Sequence, residues 1–142
     1  MKIKISLSDD LELEIDSYSL DLLLHSLQDL SFKRIAEFTV NDIEIYGESL
    51  PVNAIQFRYN ETNESYLFSI ERRDTTLIFN FDFNGITYFI FSLQRMLEKL
   101  HKSECIEHEH YMTEDWAGNE LTQFKINPDS VIINMLTIYS RK

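Results

Sequence analysis

The residues of this chain best suited to chemistry stand in one run: Cys105-Ile106-Glu107-His108-Glu109-His110-Tyr111. On a strand, His108 and His110 share a face on which two imidazoles could hold one metal ion. Glu107, Glu109 and Tyr111 take the opposite face. A metal centre needs three or four donors and groups that orient them, so two histidines at this spacing fall short. Cys105, brought round by a bend, or a distant acid would have to complete the set. The favoured reading has both histidines packing on a sheet face; a metal-binding module or metal-dependent enzyme centred on His108 and His110 is the alternative.

Other catalytic signatures are missing. The chain has no phosphate-binding glycine loop, nucleophile elbow, zincin helix or CxxC pair. Its three glycines are too few for a phosphate cradle, and its one cysteine, Cys105, excludes an intrachain disulfide framework. Glutamates abound, but nothing singles out two as a catalytic pair. The expectation is a protein without catalysis and without an obligatory cofactor.

Charge points toward binding. With 13 basic and 24 acidic residues the formal net charge is −11, which disfavours nucleic acid and anionic membrane as partners. The acids are also unmixed. Seven lie between Ile5 and Phe32, and six between Ser103 and Phe124, with no Lys or Arg in either stretch. A surface selected only for solubility mixes its signs more evenly. Inside the second stretch, Trp116 is the only tryptophan, set in the acidic run Thr113-Glu114-Asp115-Trp116-Ala117-Gly118-Asn119-Glu120. Such a residue either folds back on the core or anchors an interface.

The elements that must position these groups follow from periodicity. Ile3, Ile5 and Leu7 alternate with polar residues, as do Leu11, Leu13 and Ile15, and Ser8-Asp9-Asp10 between them makes a hairpin. Its register places Lys2 and Lys4 across from Glu12 and Glu14. Leu20, Leu23, Leu24, Leu27 and Leu30 form the stripe of a helix at about 17–30, capped by Ser17 or Ser19, with His25 on the solvent side. Short strands are expected over Lys33–Val40, Asp42–Tyr46, Val52–Tyr59 and Tyr66–Arg72. Leu77, Phe79, Phe81 and Phe83 line one face of a further strand, Asn84-Gly85 turns the chain, and a long helix at about 85–102 buries Ile86, Phe89, Ile90, Leu93, Met96, Leu97 and Leu100. Val131–Ile138 is apolar on both faces, the pattern of an interior strand. The sum is one α+β domain over 1–142, a mainly antiparallel sheet with two helices and the long helix packed on it. No apolar run reaches the length of a membrane span, and MKIKISLSDD has no signal-peptide hydrophobic region, so a cytoplasmic location is expected.

One stretch resembles a known family. His108-Glu109-His110-Tyr111-Met112-Thr113-Glu114-Asp115-Trp116-Ala117-Gly118-Asn119-Glu120-Leu121-Thr122 is similar to a pattern in small immunity proteins of bacterial polymorphic toxin systems, including contact-dependent inhibition. There, a helix leads to a histidine-bearing strand, a Met-Thr pair, a Trp-Gly-Gly stretch, Glu-Leu and a terminal strand. The likeness runs from the long helix through Asn134-Met135-Leu136-Thr137-Ile138, with Ala117 where the first of two glycines is expected. His108, Thr113, Trp116, Gly118 and Glu120 are its landmarks. The resemblance implies a protein that binds and neutralises a cognate bacterial toxin domain, as monomer or homodimer. A basic toxin suits the acidic composition, since an acidic inhibitor can imitate nucleic acid and associate fast. The expected contacts are Glu107, Glu109, Tyr111, Glu114, Asp115, Trp116, Asn119 and Glu120.

Overall fold

The computed structural model describes residues 3–7, 11–31, 35–41, 43–45, 52–60, 68–102, 106–112 and 135–141. Nine strands and two helices occur among them: β1 Ile3–Leu7, β2 Leu11–Asp16, α1 Ser17–Ser31, β3 Ile35–Val40, β4 Ile43–Ile45, β5 Ala54–Asn60, β6 Phe68–Arg73, β7 Thr76–Phe81, α2 Phe83–Lys102, β8 Ile106–Met112 and β9 Met135–Arg141. The fold is α+β and most strand pairings are antiparallel, as the sequence leads one to expect. The strands form two sheets rather than one. The first has the order β4-β1-β2-β9-β8 and the second β3-β5-β7-β6. Three pairings, β1 with β4, β2 with β9 and β5 with β7, are parallel.

The hairpin register sets Lys4 opposite Glu14, while Lys2 lies outside the described residues. Glu14 also receives Arg141 Nε at 2.9 Å from the far end of β9. The inner face of this sheet is a continuous apolar patch of Ile3, Ile5, Leu11, Leu13, Ile15, Leu136 and Ile138, each almost wholly buried. β9 is interior to the sheet: Thr137, on the outer side, and Ser140, on the inner, are closed off too, whereas Tyr139 is half-buried and Arg141 exposed. Among the described residues Ser140 Oγ has no hydrogen-bond partner.

In the second sheet aromatic rings cross the strands. Phe38 stacks on Phe57 with centroids 4.9 Å apart, and Phe57 meets Phe79 edge-on at 5.2 Å. Phe81 continues the row to α2, stacking on Phe89 at 5.0 Å. The outer face is polar, with Glu37 joined to Arg58 at 3.3 Å and Arg58 Nε donating to Gln56 at 2.9 Å. Ile78, in the middle of that face, is nevertheless buried, so the clean alternation along β7 is broken. Both helices pack on each other and touch strands of both sheets, and one apolar cluster draws on all of them.

The helix starts differ from expectation. α1 is capped by neither serine: Asp16 Oδ1, on the last residue of β2, accepts the N–H of Ser19 at 2.6 Å. α2 begins at Phe83, because Asp82 Oδ1 accepts the N–H of Gly85 at 2.7 Å and the Asp82 carbonyl accepts from Ile86 at 3.0 Å. Asn84-Gly85 is therefore the first turn of the helix, and Phe83 leaves the strand face and stands 59% exposed. An aspartate that ends a strand and caps the next helix satisfies an otherwise orphan amide. In each case the residue before the cap and the fourth helical residue are buried apolar groups: Ile15 with Leu20, Phe81 with Ile86. That is the spacing of a hydrophobic staple.

Burial raises the Asp82 carboxyl pKa above its ordinary 3.8, against the lowering effect of the hydrogen bonds it accepts. The folded state then holds the proton more tightly than the unfolded chain, so this group's contribution to stability is greatest in acid and is lost as pH rises through the folded pKa. Asp82→Asn keeps an acceptor and removes the charge. Compared with the parent by urea unfolding, it should gain relative stability from about pH 4 to about pH 7. Asp82→Ala, which removes the cap, should lose about 0.5–2 kcal/mol at neutral pH.

Candidate functional site

Strand β8 carries the run from Ile106 to Tyr111 and lies at the edge of the first sheet, paired only with β9 among the described residues. Its register sorts the expected site residues. Glu107, Glu109 and Tyr111 stand opposite Ser140, Ile138 and Leu136, the positions of β9 that belong to the inner, helix-facing side. His108 and His110 stand opposite Tyr139 and Thr137 on the outer side. The register keeps the alternation expected of this strand, with His108 and His110 at outer-side positions. The His108 ring is exposed and lies tilted against Tyr139, centroids 6.0 Å apart. Glu114, Asp115, Trp116, Asn119 and Glu120 lie outside the described residues, as does Cys105. Among the described residues no three His, Cys, Asp or Glu side chains converge as metal ligands.

The topology puts the two acid-rich stretches in one sheet but at register positions of opposite faces, Glu12 and Glu14 beside Thr137 and Tyr139 on the outer side and Glu107 and Glu109 beside Ser140 and Ile138 on the inner. β2, with Glu12, Glu14 and Asp16, is separated from β8, with Glu107 and Glu109, by β9 alone. Arg141 on β9 is the base between them, and Glu14 already holds it. The α1 acids Asp21 and Asp29 are exposed.

A second feature was not legible from sequence. Between α1 and α2 lies an open groove of about 360 Å³. Asp21, His25 and Gln28 form one wall and Gln94, Glu98 and His101 the other. Leu24 and Leu97 make its floor. His25 is on the solvent side as expected, yet it belongs to this concave surface. Its Nδ1 lies 2.8 Å from the Asp21 carbonyl oxygen and 3.8 Å from Asp21 Oδ1. A carbonyl only accepts, so Nδ1 carries the proton, and in the neutral ring Nε2 is an acceptor. Each wall alone reads as an ordinary polar helix face; only the packing of the two helices makes a groove.

By its architecture the chain is an α+β protein, with two mixed sheets and two helices among the described residues. Comparison with known proteins finds no matching family, no matching curated protein and no matching solved structure. No described helix is long and apolar enough to cross a membrane.

Proposed function

We propose that this protein is an immunity protein, which binds a basic toxin domain through an acidic surface and so neutralises it in the cytoplasm of the cell that makes both. The observation that carries the reading is the segregation of acid along the chain, seven acids between Ile5 and Phe32 and six between Ser103 and Phe124 with no Lys or Arg in either stretch, the first of which sets Glu12 and Glu14 on the outer face of the first sheet. Such a surface draws in a positively charged partner and repels nucleic acid and anionic lipid. The likeness of 108–122 to toxin-immunity sequences supports the same conclusion. The contacts are assigned to Glu107, Glu109, Tyr111, Glu114, Asp115, Trp116, Asn119 and Glu120, with Tyr111 and Trp116 as apolar anchors and the acids facing basic groups. Glu107, Glu109 and Tyr111 would take part at the sheet edge, where β8 lies. The acids of 114–120 carry the larger share.

Co-expression and pull-down with the product of the neighbouring upstream gene test the proposal. The expected result is a complex and rescue of cells that express that product; neither binding nor rescue would refute it. Electrostatic steering adds a kinetic signature. The association rate should drop about tenfold or more between low and high salt, while dissociation changes little. A salt-independent association rate would remove the acidic surface from the account.

A further inference from the structure

We propose that the groove between α1 and α2 is a docking site for a basic protein segment, one Lys or Arg side chain lying along it. Its chemistry matches that occupant part by part. Leu24 and Leu97 offer an apolar floor to an aliphatic stem. Asp21 and Glu98, one from each wall, offer carboxylates to the cationic head. The volume, about 360 Å³, suits one long side chain rather than a folded element.

A second observation is independent of the charges. Large apolar side chains are exposed on the same two helices. Tyr18 is 73% exposed, one turn before Asp21 on the same stripe, and Leu22 lies beside it at 37%. Phe91 is 56% exposed, three residues before Gln94. Aromatic anchors beside a concave, charged surface are what a protein partner uses, and interfaces are enriched in them. With two carboxylates and no Lys or Arg in its lining, the groove disfavours a nucleic acid or an anionic lipid as occupant. Arg95 of α2 is held over the Phe91 ring at 5.7 Å, and none of Arg95, Lys99 and Lys102 lines the groove.

The site stands apart from the immunity reading, since its test uses this chain alone. An N-acetylated hexa-arginine peptide is titrated into isotope-labelled protein and followed by NMR. Saturable shifts are expected in the amides of 21–28 and 94–101, with none for the matching citrulline peptide. The double variant Asp21→Asn/Glu98→Gln should bind at least tenfold more weakly. A control of equal charge change on the second sheet, Glu37→Gln/Glu71→Gln, should stay within about twofold of the parent. Equal weakening in both variants, shifts that bypass the two helices, no binding, or a dimer of this chain that covers the groove would each overturn the proposal.

Discussion

Replacing Phe89 by alanine is expected to lower the free energy of unfolding by about 3–5 kcal/mol, a large part of the total for a domain of this size. Phe89 has no exposed surface, and its ring stacks on Phe81 at 5.0 Å. Phe81 in turn lies parallel to Phe57 at 6.5 Å, and Phe57 touches both Phe38 and Phe79. The row fastens α2 to β3, β5 and β7 at once, so the void left by the lost ring cannot collapse without moving a helix or a sheet. Phe91→Ala makes the same chemical change two residues later. Its ring is 56% exposed with only Arg95 over it, so the cost should stay below about 1 kcal/mol. Urea denaturation of both variants decides the matter. Similar losses would mean that α2 is held by helix propensity and not by the aromatic row.

The second large effect is on binding. Under the immunity reading Trp116→Ala should weaken the complex with the toxin by about 2–4 kcal/mol, or roughly 30- to 1000-fold. A single tryptophan among five neighbouring polar or acidic positions is the strongest apolar anchor that 113–120 can present. The loss should appear in the dissociation rate, with the thermal midpoint of the free protein unchanged. A midpoint that falls in step with affinity would assign Trp116 to the core and remove it from the interface. Glu114→Gln makes a useful contrast: a charge at the rim should act on the association rate and its salt dependence.

The parts of the fold that were legible in sequence are those with local periods. The leucine stripe of α1, the apolar stripe of α2 and the alternation of β1 and β2 all reappear, and Lys4 meets Glu14 as the hairpin requires. What periodicity cannot carry is the partner of each face. The parallel pairing of β2 with β9 joins residues such as Leu11 and Leu136, and no local pattern encodes that distance. The division into two sheets was missed for the same reason. The helix starts were missed because serine and Asn-Gly are the stronger textual signals for a cap and a turn, whereas the aspartate ending each strand supplies the hydrogen bond. Of the candidate sites, the alternation of β8 was readable from residue spacing. The groove was not, since His25 and His101 become neighbours of one cavity only through helix packing.

The place of β9 in the first sheet has a consequence for biosynthesis. Until Met135–Arg141 has left the ribosome, the hairpin of β1 and β2 presents a bare strand edge, and its apolar inner face has no lid on that side. So large a sequence separation is a hallmark of slow, late-closing topologies. A nascent chain waiting in that state is a natural client for a holding chaperone, and its exposed β2 edge is where misassembly between copies would start.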